Sequence, residues 1–258
     1  MSHFQNNISF IIVNFRSVTE LLRCLRDLAI LPNSHHFEVI IINNDINKLQ
    51  LPQFQFFRQK CVEINQNIGY SKANNIGLSH VSTSFVCFLN PDTHSFSQNF
   101  CSVIDHLQPK VIASPLILSE NKMPQKWSNG EKITLWQILK NNMGIHKKTW
   151  ASQRVTPVHW VCGAALCSTT QFLRELNGFD ELFFLYFEDV DLCERAHQLG
   201  GSVYFLPHIS LIHTAGQSSK KTSKIQKKCY YNSQDHYFNK HVGVLQLLLL
   251  RVLRLLHK

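Results

Sequence analysis

Charge is scarce in this sequence. Asp, Glu, Lys and Arg make up 17% of its 258 residues, against 44% hydrophobic residues. That balance excludes intrinsic disorder, which needs few apolar residues and high charge. Composition also excludes collagen-like, coiled-coil and low-complexity chains, and no internal repeat is visible. The eight cysteines contain no C-x-x-C pair, so zinc-ribbon and thioredoxin-type sites lack their ligand spacing. Several of them sit in apolar runs, such as Cys87 within Phe85-Val86-Cys87-Phe88-Leu89, and are expected to be buried free thiols. No apolar run reaches the ~18–20 residues of a spanning helix. The nearest, Val242 to Leu256, is interrupted by Gly243, Gln246, Arg251 and Arg254. No secretory signal precedes the first apolar run, so a reducing cytoplasmic location is the expectation.

The net charge of +9 is unevenly placed. From Gly216 onward stand Lys220, Lys221, Lys224, Lys227, Lys228, Lys240, Arg251, Arg254 and Lys258, against the single acid Asp235. The protein is therefore a nearly neutral body with a basic tail. A nucleic-acid reader usually carries its charge on a folded surface. A tail of this kind suits an anionic membrane equally well. No groove-reading motif supports nucleic acid, and none is expected as a partner.

Ile8 to Phe15 is apolar and β-branched on both faces, the pattern of a buried parallel strand. Leu21, Leu22, Leu25 and Leu28 follow at helical spacing within Ser17 to Leu31. Further strands are expected at Phe37 to Asn44, Cys61 to Asn65, Ser84 to Leu89, His159 to Cys167 and Ser202 to Leu206, the last ended by Pro207. Helices are expected at Ser71 to Leu78, Thr170 to Leu176 and Glu188 to Leu199. The tract Ser119 to Thr156 reads as loops with one helix around Ile133 to Lys140. Alternating strands and helices imply a doubly wound α/β fold, with ligands at the carboxyl ends of the strands.

Three polar clusters stand at the ends of apolar runs: Asn43-Asn44-Asp45, Asn90-Pro91-Asp92-Thr93, and Glu188-Asp189-Val190-Asp191. Carboxylates there suit a hard divalent cation on a diphosphate. Acids at a helix start have a plainer explanation too, since they cap it and complement its dipole.

Order and spacing point further. The first strand, Glu38 to Asp45, Asn67-Ile68-Gly69-Tyr70-Ser71-Lys72-Ala73-Asn74-Asn75-Ile76-Gly77 and Leu89 to Thr93 resemble successive motifs of family 2 glycosyltransferases. So do Gly163-Ala164-Ala165, Asn177 to Glu181, Phe183 to Leu192, and Pro207 followed by His213. The resemblance covers roughly residues 8 to 215 in order and is nearest to the rhamnosyltransferase-like branch.

The resemblance implies a GT-A fold, a Rossmann-like mixed sheet flanked by helices, with a C-terminal helical basic tail. It implies a GT-A domain over 1–215, with a nucleotide-sugar-binding half at about 1–115, an acceptor and catalytic half at 116–215, and an extension at 216–258. It implies inverting sugar transfer from a dTDP- or UDP-linked donor to a growing polysaccharide or lipopolysaccharide, usually with Mg2+ or Mn2+. Asp92, in the place of the family's D-x-D, is then the metal ligand, and His213 matches a histidine that touches metal or diphosphate in some relatives. Asn90 is a neutral member of that motif. Asp189, beside Glu188, matches the general base, which must deprotonate the acceptor hydroxyl. Asp191 either orients acceptor or base, or is a helix-start charge. Asn14, Phe15, Asn43, Asn44, Asn67, Gly69, Lys72 and Asn74 fall in donor-binding segments. One departure is plain: the family commonly has Asp-Asn-Asn after the second strand, and here the first place is Asn43. A non-catalytic nucleotide-sugar-binding relative is the alternative. The tract Trp127 to Trp150 matches no motif and is where acceptor specificity is expected.

The stretch Ser218 to Lys228 suits a flap near the diphosphate. The Leu-rich helix after Val242 carries Arg251, Arg254 and Lys258 on one face. It can lie in a membrane interface beside a lipid-linked acceptor, pack on the body, or pair with a second subunit as a homodimer. Membrane contact implies a peripheral position on the inner face of the cytoplasmic membrane.

Overall fold

The computed structural model describes residues 8–145, 147–214 and 224–256. Of the expected flap, Ser218 to Lys228, residues 218–223 lie outside the described residues.

Strands β1 (Ile8–Asn14), β2 (Glu38–Asn43), β3 (Arg58–Glu63) and β4 (Phe85–Leu89) form the parallel part of the main sheet, in the order β3-β2-β1-β4. Every residue of β1 is buried. An entirely apolar strand of this kind is stable only when covered on both faces. Helix α1 (Val18–Ala29) covers one face through Leu21, Cys24, Leu25 and Leu28, beside Phe100 and Val103. Helices α2 (Tyr70–Ser79), α4 (Thr170–Glu175) and α5 (Glu188–Gln198) cover the other, through Ala73, Leu78, Phe172, Leu173, Leu192 and Ala196. β3 starts three residues earlier than its sequence pattern suggests. It is an edge strand, so its first half tolerates Arg58, Gln59 and Lys60.

Beyond β4 the sheet becomes mixed. β10 (Ala165–Thr169) lies antiparallel between β4 and β6 (Val111–Leu118), and β11 (Ser202–His213) runs parallel to β6. Strands from both expected halves thus share one sheet. β6 is central yet carries Pro115, a residue that removes a ladder donor and argues against a central strand in sequence. Its partner accommodates it: the register shifts between Leu206 and Ser210, opposite Pro115 and Leu116. The same bulge carries β11 through Pro207 rather than ending it there, and so delivers His213 to the site. The candidate strand His159 to Cys167 is split at Gly163 into β9 (Trp160–Val161) and β10.

All eight cysteines are free thiols, and Cys24, Cys87, Cys167 and Cys193 are buried. Helix α3 (Leu135–Asn142) forms in the Trp-rich tract, with the Thr134 hydroxyl capping it by accepting from the Gln137 amide. Helices α6 (Lys224–Tyr237) and α7 (Val244–Leu256) are joined by a π-helical turn at Phe238–Val242. Tyr237, Phe238, Leu247 and Leu250 make a third core with Phe183, Phe187 and Val190. No helix among the described residues is long and apolar enough to cross a membrane.

Candidate active site

The site lies along the carboxyl ends of β1, β2 and β4, and the start of α5 faces it. At the end of β2, the Asn44 amide clips the loop that follows β3. Its Oδ1 accepts from Ile68 N at 2.9 Å, and its Nδ2 donates to Asn67 Oδ1 at 3.0 Å and to the Gly69 carbonyl at 3.3 Å. Gly69 begins α2 with φ +89, and a Cβ there would come within 2.7 Å of the Phe184 ring and 2.8 Å of the Phe184 carbonyl. Only glycine meets both demands. Gly69→Ala is therefore expected to cost about 3 kcal/mol, from the left-handed backbone and the collision together. A thermal unfolding midpoint equal to the parent's would contradict this.

Asn14 and Asn43 are buried side by side, with Asn14 Nδ2 donating to Asn43 Oδ1 at 2.8 Å. Both N–H groups of the Asn43 amide are spent, on Glu63 Oε2 at 2.6 Å and the Asn47 carbonyl at 2.7 Å. Asn43 can meet a nucleobase only through its remaining carbonyl lone pair. The carboxylate of this corner is Glu63, on β3. Phe15 is exposed and carries the Arg16 guanidinium over its ring.

At the end of β4, Asp92 Oδ1 is 3.2 Å from His213 Nε2, and Asn90 Nδ2 is 3.3 Å from the same nitrogen. Gln125 Oε1 meets the other ring nitrogen of His213 at 2.9 Å. One carboxylate and one imidazole converging this way fit a magnesium or manganese ion that takes its other ligands from diphosphate and water. No group of three His, Cys, Asp or Glu side chains placed to hold a metal ion is found among the described residues.

A hydrogen-bonded path leads from this cluster to Asp189. The Tyr70 hydroxyl lies 3.1 Å from Asn90 Oδ1 and 3.0 Å from the Gly163 carbonyl. Gly163 N donates to Asp189 Oδ2 at 2.7 Å. Asp189 Oδ1 accepts from Val190 N at 2.8 Å. Tyr186 and Phe187, just before α5, are both left-handed, at φ 72 and 66. Such backbone is costly for large side chains and clusters at functional sites. Here it turns both rings toward a cavity while α5 starts on its acids.

That cavity has a volume of about 460 Å³ and reaches Glu188 and Asp189. Its walls include Trp127, Trp150, Trp160, Tyr186 and Tyr230, with Asn141 from α3. Glu188 is buried with Oε2 unpartnered. Burial, and then the neighbouring Asp189 carboxylate, pushes its carboxyl well up. Burial also raises Asp189, against the backbone N–H groups that favour its charged form. Both carboxyls of the pair are thus held above their ordinary range.

The match to known proteins agrees with this geometry. The family model described as Glycosyl transferase family 2 matches residues 9–168. The chain belongs to this family. Rhamnosyltransferase WbbL of Escherichia coli (strain K12) is 26% identical over 203 residues, covering 73% of this chain and 76% of WbbL. The dTDP-rhamnosyl transferase RfbF of Shigella flexneri is 24% identical over 196 residues, covering 71% of this chain and 62% of RfbF. The crystal structure of GalNAc-T7 with UDP, GalNAc and Mn2+ superposes with a TM-score of 0.66 at 14% identity, covering 92% of this chain. This chain spans half of that one, 50%. The fold of this family 2 glycosyltransferase is GT-A, with helices at its C-terminal end.

Three expected residues stand apart from the site. Asn74 is fully buried, and its Nδ2 donates to the Tyr70 carbonyl within α2. Its Oδ1 is buried without a hydrogen-bond partner, and no part of the side chain is open to solvent. Lys72 lies on the exposed side of α2, opposite the buried Ser71 and Ala73. Asp191 is fully buried and faces away from the cavity into a group of basic side chains. Arg195 Nε is 2.7 Å away, Lys240 Nζ 2.8 Å and His241 Nε2 2.7 Å. It is a structural anion rather than an orienting group. Conversely, Tyr70, Glu63, Gln125, Tyr186 and Tyr230 enter the site without having been singled out. Tyr70 follows Gly69 directly, so its place at the start of α2 was a usable signal. The others are brought in by tertiary packing alone.

Proposed function

We propose that this chain is an inverting, divalent-metal-dependent glycosyltransferase. It moves a sugar, L-rhamnose by its relatives' names, from a dTDP- or UDP-linked donor to a growing cell-surface polysaccharide or lipopolysaccharide acceptor. The carrying observation is the path from Asp92 and His213 through Asn90, Tyr70 and Gly163 to Asp189 at the cavity wall. In this reading the donor diphosphate lies at the Asp92–His213 end of the path and the general base at its other end. The donor lies on the 1–115 side, along Asn14, Phe15, Asn44, Asn67 and Gly69. The acceptor enters the aromatic cavity of the 116–215 side, which the 216–258 segment completes with Tyr230.

Aromatic walls suit a sugar ring, whose C–H face is apolar and whose hydroxyls lie at its rim. Asp189 accepts the proton of the acceptor hydroxyl as that oxygen attacks the anomeric carbon. The bond from anomeric carbon to diphosphate oxygen breaks on the opposite side, which inverts the centre. Glu188, whose carboxyl is pushed up by burial and by Asp189, lines the cavity beside it. Asp92 and His213 would hold Mg2+ or Mn2+, whose chemistry there is to offset the charge growing on the leaving diphosphate. The enzyme works at the cytoplasmic side of the membrane on a lipid-linked acceptor.

Donor hydrolysis without acceptor tests this reading and separates it from a non-catalytic nucleotide-sugar binder. Slow hydrolysis of dTDP-rhamnose or a UDP-sugar is expected with manganese and not after chelation. Asp92→Asn should raise the manganese concentration for half-maximal rate by about tenfold or more. Donor binding without hydrolysis or transfer under any metal condition would favour the binding module.

A further inference from the structure

Helix α7 is apolar on two opposite sides. Leu247 and Leu250 are buried in the third core, against the residues that lead into α5. Leu245, Leu248, Leu249, Val252 and Leu255 are all exposed, from 48% to 74% of their surface. At 100° per residue these five form one continuous stripe, roughly opposite Leu247 and Leu250. Water solvates such a stripe poorly, and five large side chains in a row exceed the scatter of single exposed apolar residues on an ordinary surface.

The surroundings of the stripe are cationic. Lys224, Lys227 and Lys228 are exposed on α6 and share a face with Tyr231. The Tyr231 ring carries Lys227 at 5.9 Å and Arg254 of α7 at 4.8 Å, so this basic face runs beside α7. The only acid of residues 224–256 is Asp235, and it is taken by Arg251 and Arg254. Those two arginines thus pin α7 to α6, while Arg251 stays half-exposed.

Helix α3 ties this surface to the acceptor cavity. It turns Gln137, Ile138 and Asn141 into the cavity, and Leu135 N donates to Gln246 of α7. Its other side exposes Trp136, 61% accessible, with Lys140 over the ring. A solvent-facing Trp with an adjacent Lys is the pairing that sits at a lipid headgroup boundary.

We propose that the exposed stripe of α7, flanked by the basic face of α6 and by Trp136, is a docking surface for an anionic phospholipid bilayer. A second copy of the chain fits less well. The stripe on a 13-residue helix offers a footprint of about 200 Å², against ~800 Å² per partner in a stable interface. Pairing would also set the lysines of one copy near those of the other, with no acid left to offset them. An anionic bilayer complements both the charge and the apolar stripe, and a helix of this length lies in its plane without crossing it. The proposal rests on the transferase reading only in the cavity it serves, where a lipid-linked acceptor would arrive from the same surface.

The full chain should sediment with vesicles of phosphatidylcholine containing about one-third phosphatidylglycerol, and much less with phosphatidylcholine alone. High salt should weaken the binding. Leu248→Asp combined with Val252→Asp should lower the partition by about tenfold or more, with hydrolysis of a soluble nucleotide-sugar unchanged. If that pair impairs folding, Leu245→Gln with Leu249→Gln gives the same comparison. The proposal fails if the parent stays in the supernatant with both vesicle types, or if the folded variants sediment like the parent. It also fails if light scattering shows a dimer that these substitutions dissolve. A parent that hydrolyses donor but binds neither vesicle type would overturn the surface alone; a parent that binds anionic vesicles but hydrolyses no donor would overturn the transferase reading alone.

Discussion

Asp189→Asn is expected to lower kcat/KM for sugar transfer by about a thousandfold, the scale on which a positioned general base acts. The amide is nearly isosteric but has one acceptor oxygen for the two N–H groups of Gly163 and Val190, so near-ultraviolet circular dichroism should stay close to the parent's while the thermal midpoint falls modestly. Donor binding should survive, which separates the loss from a misfolded site. The parent's own pH profile carries the same signature. Burial raises the Asp189 carboxyl, so the acid limb of kcat/KM should fall at a pH above the ordinary range of an aspartate. That limb should be absent from the residual rate of Asp189→Asn. Transfer by the variant at the parent's rate would remove Asp189 from the mechanism.

The largest effect on stability is expected two residues further on. Asp191 is buried among Arg195, Lys240 and His241. Asp191→Asn keeps the shape and leaves Arg195 and Lys240 without their anion. Breaking a buried pair by removing one partner costs about 3–5 kcal/mol. Burial alone would raise the Asp191 carboxyl, but the His241 hydrogen bond, Arg195 and Lys240 outweigh it and hold it down at about 2. A carboxyl lowered in the folded state adds stability above its unfolded value, near 3.8. That contribution, roughly 2 kcal/mol, is lost as the pH falls from about 4 toward 2. Denaturant titrations across this window should show a steeper acid loss in the parent than in Asp191→Asn. Parallel curves would show that the cluster contributes little.

How much of this was readable from the chain depended on where each signal is stored. β1, α1, β2, α2 and β4 follow from local patterns, because each buries a continuous run or one helical stripe. Asp92, Asp189 and His213 could be singled out only through motif order, and the strand that bears His213 was expected to end before Pro207. β6 was not, because Pro115 and the small residues beside it break the pattern of a central strand, and the compensation lies in β11. The same compensation hid the length of β11 beyond Pro207. The cavity walls were only partly readable. Trp127 and Trp150 stood in a tract with no periodicity, and Tyr230 reaches them from α6. Asp191 looked like any acid at a helix start. Its role is fixed by Lys240 and His241, about fifty residues away, and no local pattern records that.

The π-helical turn at Phe238–Val242 has a practical bearing on how the protein can be cut. Its wide winding lets two successive residues, Lys240 and His241, reach the same carboxylate. A form trimmed at residue 215 would discard both partners and leave Asp191 with Arg195 alone, on the helix that carries the proposed base. Lys240 and His241 therefore belong to one structural unit with α5, and any shortened form would have to restore those contacts within the remaining chain.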